Sequence, residues 1–259
     1  MNIVVLVKQV PDSGAERNLR TDDNTVDRAS ADNVINEMDE YAIEEALQIK
    51  ERLGGEVTIL TMGPQRATES IRKALSMGPD KAVHVLDDAL HGTCAVATSK
   101  VLAAALRTLD PDLVLCGAES TDGRGQIMPH MLAERLGIAA LTGARKLTID
   151  GDQLTVERQT EEGYEVVTAA KPAVVSVWDT INEPRYPSFK NIMAAKKKPV
   201  QTLTLADLGI AADEVGFAGA TSVVLEHSKR PARSAGRKVT DEGSGGQQLV
   251  EFLAAEKFV

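Results

Sequence analysis

Leu113-Val114-Leu115-Cys116-Gly117-Ala118-Glu119-Ser120-Thr121-Asp122-Gly123-Arg124-Gly125-Gln126 reads as a strand, a polar glycine-bearing loop and the approach to a helix. Four consecutive apolar residues without alternation describe a strand covered on both faces, as in a parallel sheet. Asp110-Pro111-Asp112 breaks the segment before it, and the helix after the loop stops at Leu136-Gly137. Strand, loop and helix in this order make one unit of an α/β fold.

The same unit recurs upstream. Residues 3–7 are a second unalternated apolar run. Tyr41, Ala42, Ala46, Ile49 and Leu53 fall at helical spacing and end at Gly54-Gly55. Residues 57–61 form a strand and Gly63-Pro64 a turn, and Ala67, Ile71, Ala74 and Leu75 stripe a helix up to Gly78-Pro79. Residues 82–86 are a further strand and 95–109 an Ala- and Leu-rich helix. Repeated units of this size predict a doubly wound, mostly parallel sheet. Between residues 12 and 33 lies a polar, Asp-rich stretch.

Downstream the pattern changes. Residues 146–150 and 153–158 predict an antiparallel hairpin on Gly151-Asp152, and another strand pair surrounds Gly163. Residues 173–177 return as a buried strand. Residues 182–204 are polar, basic and proline-containing, residues 226–248 are rich in Gly, Ser, Arg and Lys, and residues 249–258 read as a short amphipathic helix. The expected organisation is a nucleotide-binding α/β domain over 1–225, with an added hairpin section, and an extended C-terminal arm and helix over 226–259. The arm lacks the composition for a core of its own, so it is expected to pack onto something else.

Composition narrows the function. The 259 residues carry a net charge of −9, which argues against a nucleic-acid or anionic-membrane partner. Aromatic residues make up only 3%, so Val, Ile, Leu and Ala must fill the core. Cys94 and Cys116 read as two buried thiols, with no Cys/His cluster for a metal. The opening residues read as a strand without a leader's basic flank, and no apolar run is long enough for a bilayer, so a cytoplasmic location is expected.

The loop after residue 116 is the strongest local signal. Its glycines let backbone amides converge, and the following helix N-terminus favours a phosphate. Its spacing matches neither G-x-G-x-x-G nor the P-loop, so a plain turn before a helix is an equally open reading. Val7-Lys8, Met62-Gly63-Pro64 and Asn36-Glu37-Met38-Asp39 lie at other strand ends or helix entries that face the same crevice. Asn36 or Asp39 also reads as a helix cap. The scattered histidines His84, His91, His130 and His227 form no catalytic pattern, Ser120 has no G-x-S-x-G context, and no paired acid and base emerges, so no catalytic or metal residues are expected. Lys196-Lys197-Lys198 suits an acidic partner or plain solvation alike.

Several segments together resemble the β subunits of electron transfer flavoproteins. They are Val7-Lys8-Gln9-Val10-Pro11-Asp12, the stretch 36–46 (NEMDEYAIEEA), and Val156, Arg158, Glu161-Glu162-Gly163, Glu165, Val167, Pro172 and Val174-Val175-Ser176. Asn182-Glu183-Pro184-Arg185-Tyr186, Asn191-Ile192-Met193, Lys196-Lys197-Lys198 and Ala235-Gly236-Arg237-Lys238-Val239 complete the set, in family order, over the whole chain.

The resemblance implies an electron carrier without catalytic residues, paired as a heterodimer with an α subunit that holds the redox FAD. It implies a structural AMP in this subunit, replaced by a second FAD in electron-bifurcating members. Electrons would pass from acyl-CoA and related dehydrogenases to a membrane quinone oxidoreductase. By position, the nucleotide contacts would be Leu6, Asn36, Glu37, Met38, Asp39, Met62, Gly117, Asp122, Gly123, Arg124, Gly125, Gln126 and Ile127. The 117–127 loop is shorter than the usual family version. Arg124 either adds a charge-assisted bond to the phosphate or blocks a larger dinucleotide, and AMP is the expected occupant. Residues 186–198 resemble the family's recognition loop, with Phe189 as anchor, Asn191, Ile192 and Met193 beside it, and Lys196, Lys197 and Lys198 steering encounter. A stand-alone nucleotide-binding stress or signalling domain would explain residues 1–140 but leave 145–259 unexplained. A nucleotide-hydrolysing or adenylate-forming enzyme would need a pyrophosphate motif that is not apparent in the sequence.

Overall fold

In the computed structural model of the chain, residues 1–233, 236 and 238–259 are described. Ala235 and Arg237, part of one family-like stretch, lie outside the described residues. The ordered elements fall into two units, residues 1–225 and 226–259.

The larger unit is a nine-stranded, mostly parallel sheet. In chain order its elements begin with β1 (Asn2–Leu6), the short β2 (Gln9–Pro11) and β3 (Asn33–Ile35), α1 (Glu37–Leu53) and β4 (Glu56–Met62). Then come α2 (Thr68–Met77), β5 (Lys81–Val85), α3 (Ala95–Leu109), β6 (Leu113–Gly117) and α4 (Met128–Leu136). The unit continues with β7 (Ala139–Asp150), β8 (Gln153–Thr160), β9 (Gly163–Ala170), β10 (Ala173–Val177), α5 (Phe189–Ala195) and β11 (Val200–Leu203). The sheet order is β11-β5-β4-β1-β6-β10-β7-β8-β9, while β2 and β3 pair antiparallel by themselves.

The unalternated apolar runs form the central strands because both faces are covered. Ile3 and Val5 pack with Ile43, Ala46, Ile71 and Leu75 on one face, whereas Val4 packs with Val101, Leu106 and Leu132 on the other. Thus α1 and α2 cover one side, and α3 and α4 the other. The chain moves outward from β1 to β4 and β5, then crosses back through α3 to β6 on the opposite flank of β1. This reversal opens a crevice beyond the carboxyl ends of β1 and β6, where such sheets receive ligands.

The sequence reading misplaced three features. First, the expected hairpin over 146–150 and 153–158 is present, but its first strand is longer than expected. Strand β7 begins at Ala139, pairs parallel with β10, and bends through an irregularity near Ala144 into its antiparallel pairing with β8. Ala139, Ala140 and Gly143 gave too little strand propensity to reveal that first half. Second, residues 182–204 are not merely a polar stretch: they contain α5 and the edge strand β11, whose exposed Gln201 and Thr202 hide its sheet membership. Third, Cys94 is only half-buried, while Cys116 is buried as expected. The Cys94 sulfur accepts from the Thr221 amide at 3.3 Å. Burial would raise this thiol, but hydrogen bonds from Thr221 and from the Ala97 and Val96 amides hold it down at about 6.

In the second unit, α6 (Gly245–Ala255) starts four residues before the expected position. Asp241 Oδ1 accepts from the Gly243 and Gly245 amides, both at 2.8 Å, and so organises the turn before the helix. Leu249, Val250 and Phe252 are exposed, so the helix buries no apolar face within its own unit. Among the described residues, no helix is long and apolar enough to cross a membrane.

Candidate functional site

The crevice is closed at its base by two polar side chains rather than by packing alone. Asp39, buried in the first turn of α1, accepts the Lys8 amide on Oδ2 at 2.8 Å and the Gly117 amide on Oδ1 at 3.2 Å. It thereby ties the ends of β1 and β6 to the start of α1. Asn36 donates Nδ2 to Asp39 Oδ1 at 2.9 Å and to the Glu119 carbonyl at 3.0 Å, and accepts the Thr121 amide at 3.0 Å. Asn36 occupies the N-cap position of α1 but makes no side-chain cap bond. Its amide reaches across to the loop after β6 instead, a long-range use that the capping reading could not foresee. Burial pushes the Asp39 carboxyl up to about 7, against the pull of its Asn36, Lys8 and Gly117 donors.

Gly117 is required here by close approach. A Cβ at this position would stand 2.5 Å from Met38 Cβ and 2.7 Å from Asp39 Oδ1. In the loop itself the left-handed turns fall on Arg124 (φ 48°) and Gln126 (φ 53°), not on Gly123 and Gly125. Gln126 is braced by Glu119, with Nε2 donating to Oε2 at 2.8 Å.

The Asp122 side chain is 3% exposed and lies between two cations. Lys8 Nζ meets Oδ1 at 2.7 Å and Arg28 Nη2 meets Oδ2 at 2.5 Å. Lys8 Nζ also donates to Ser120 Oγ at 3.1 Å. Burial would raise the Asp122 carboxyl, but Lys8 and Arg28 hold it down at about 2. Arg28 arrives on the segment between β2 and β3, which is also fastened by Arg17 donating to the Thr121 carbonyl at 2.8 Å and by His91 against Asp23 at 2.7 Å.

These elements surround a cavity of about 450 Å³. Leu6, Leu60, Met62, Leu102 and Ile127 give it apolar wall, while Lys8, Arg28 and Ser120 give it a polar end. The first residues of α4 also line it, and that helix has no side-chain N-cap, so its positive end faces the space. Gln9, buried in the same wall, donates to the Arg66 carbonyl at 3.2 Å, while its Oε1 has no partner among the described residues. A volume of this size with one polar end and apolar sides fits a small amphipathic anion such as a mononucleotide. A second cavity of about 1060 Å³ adjoins it and shares Arg28, Met62, Gly63, Pro64, Thr93 and Ala95 as walls.

Of the residues singled out in the sequence, Leu6, Asn36, Asp39, Met62, Gly117, Gly123, Gly125, Gln126 and Ile127 line the smaller cavity. Glu37, Met38, Asp122 and Arg124 do not: Glu37 and Arg124 are exposed, Met38 backs Gly117, and Asp122 is enclosed by its cations. Gln9 and Arg28 were missed as cavity-lining residues, and Lys8 was named only as a strand end facing the crevice. Arg28 is 94 residues from Asp122 in a stretch without periodicity, so no local signal marked it.

The outer segment presents Tyr186 at 96% and Phe189 at 80% exposure, with Ile192 and Met193 exposed beside them. Ser188 caps α5, its Oγ accepting the Asn191 amide at 3.2 Å. Both ends of the segment are clamped. Arg185 binds Glu44 through Nε at 2.7 Å and Nη2 at 3.0 Å, and Glu51 through Nη1 at 2.5 Å. Arg72 donates to the Ala195 and Lys198 carbonyls, both at 2.8 Å. Lys196 and Lys197 are exposed, whereas Lys198 is turned inward and donates to the carbonyls of Leu75, Gly78 and Pro79. Lys198 thus closes the carbonyl end of α2 and its following turn.

The family model described as "Electron transfer flavoprotein domain" matches residues 23–208. A Mycobacterium tuberculosis protein named electron transfer flavoprotein subunit beta is 54% identical over 264 residues, covering 100% of this chain and 99% of its own length. Proteins of the same name from Thermoanaerobacterium thermosaccharolyticum and Bacillus subtilis are 39% and 36% identical, each over at least 98% of both chains.

Proposed function

The chain belongs to the electron transfer flavoprotein family as a β subunit, and on that premise we propose that its crevice holds AMP while its outer segment docks electron-donating dehydrogenases. Membership carries the coarser role: one half of a heterodimeric, flavin-associated electron carrier. The finer reading is that the α subunit binds FAD and that this chain stabilises the pair around a buried nucleotide. Electrons then arrive from acyl-CoA and related dehydrogenases and leave to a membrane quinone oxidoreductase.

The observation that carries the nucleotide reading is the smaller cavity at the strand reversal, with its apolar wall and its uncapped α4 N-terminus. The residues fit the group: Leu6, Met62 and Ile127 offer surface to an adenine ring, and the 123–127 backbone leads the helix end toward a phosphate. FAD supplies the redox chemistry, and this chain contributes shape and partner recognition. A second reading, FAD in place of AMP, is favoured by the adjoining 1060 Å³ cavity, which provides room for a longer dinucleotide.

The docking reading rests on four exposed apolar side chains gathered within eight residues on a segment clamped at both ends. The arm over 226–259, with its unburied apolar helix face, is assigned to the α subunit.

Co-expression with an α subunit is expected to yield a yellow heterodimer whose flavin is reduced anaerobically by an acyl-CoA dehydrogenase and its acyl-CoA. A heterodimer that binds flavin but accepts electrons from no acyl-CoA dehydrogenase would remove that donor class from the reading.

A further inference from the structure

We propose that Lys8 and Arg28, cross-braced by Asp122, form the site that recognises a terminal phosphate monoester in the crevice; this rests on the nucleotide reading above and adds the residues that select for the phosphate. Neither cation is needed merely to neutralise Asp122. One carboxylate is satisfied by one cation, yet this one receives two, on separate oxygens, at 2.7 and 2.5 Å. Lys8, Arg28 and Asp122 thus sum to one positive charge, faced by the Asp39 carboxyl, on which Lys8 also acts, and by Glu119 on the cavity wall.

The placement of the three groups gives that charge a direction. Lys8 and Arg28 line the cavity, while Asp122 does not and its side chain is 3% exposed. An anion entering from the cavity meets the ammonium and guanidinium first, with the carboxylate behind them. The Lys8 and Arg28 side chains remain 42% and 30% exposed, so both keep surface for a further partner. Lys8 Nζ uses two of its three N–H groups on Asp122 and Ser120, and Arg28 uses one Nη2 bond on Asp122. The brace fixes the long side chains in advance, which lowers the entropy lost when a ligand binds.

A purely structural fastening is the competing account. It would explain Arg28, which belongs to the segment between β2 and β3, but Arg17 and His91 already hold that segment down. For Lys8 it would mean tying the loop after β6 to the end of β1 through Ser120 and Asp122, yet the side chain stays 42% exposed and lines the cavity. A dianionic phosphate facing two cations in a partly enclosed space forms charge-assisted bonds that its parent nucleoside cannot form. The site should accordingly prefer a nucleoside monophosphate to the nucleoside, and the preference should shrink as salt is added.

The test uses the intact α/β heterodimer, freed of bound nucleotide and titrated calorimetrically with AMP and with adenosine. Lys8→Gln and Arg28→Gln are each expected to weaken AMP binding by about tenfold or more and to leave adenosine binding unchanged. Arg28→Lys, which keeps the charge, should retain most of the AMP preference. Equal losses for AMP and adenosine in the glutamine variants would overturn the assignment in favour of simple fastening, as would no loss for either. A wild-type heterodimer that binds neither compound would end the nucleotide reading itself, and with it this one.

Discussion

The crevice floor and the outer segment are built on opposite plans. At the floor, Asn36, Asp39 and Gly117 are buried, and every hydrogen bond described for the two side chains is made inside the protein. In the outer segment, the tip from Tyr186 to Met193 shows its apolar side chains to solvent, and only the roots are fixed, by Arg185 at one end and Arg72 with Lys198 at the other. A floor that holds two strand ends and a helix start in register tolerates almost no change. A tip held at its roots tolerates change in stability terms and, under the docking role proposed for it, registers change in partner affinity.

The floor should show the largest effect. Gly117→Val brings its Cβ within 2.5 Å of Met38 Cβ and against the Asp39 carboxylate, where the helix start and strand end are both committed. The heterodimer is expected to lose about 4 kcal/mol of stability or to fail to assemble, read as melting temperature and as soluble yield. A valine variant that melts with the wild type would mean that the α1–β6 approach is looser than described.

The tip comes next. Phe189→Ala should raise KM for the donor dehydrogenase about tenfold, in keeping with the loss of an apolar anchor, with melting temperature unchanged. Arg185→Ala frees one root and should raise KM several-fold. It should also speed amide hydrogen exchange across 186–194 without altering flavin reduction by dithionite. If Phe189→Ala left KM alone, the docking reading would fail. If only Arg185→Ala left it alone, docking would stand and the clamp would be irrelevant to it.

The sheet was legible because each central strand repeats one local pattern: a short unbroken apolar run such as residues 3–7 or 113–116, closed by a helix with a glycine stop. The crevice was legible for the same reason, since strand ends in a doubly wound sheet converge. What escaped were features decided by partners far away in sequence. Strand β11 is marked as a strand only by its pairing with β5. Asn36 looked like a cap because its bonds to Glu119 and Thr121 lie more than 80 residues ahead. Arg28 reaches Asp122 across 94 residues from an Asp-rich stretch whose composition suggested only solvent. Lys198 matched its two lysine neighbours in sequence, yet it alone was turned inward by the open carbonyls after α2.

The central claim is that the cavity at the strand reversal holds an adenine nucleotide, and the most direct test is chromatography of the nucleotides released when the purified α/β heterodimer is heat-denatured. One AMP is expected for each FAD. Release of FAD alone, at one equivalent and with no adenine mononucleotide, would contradict it.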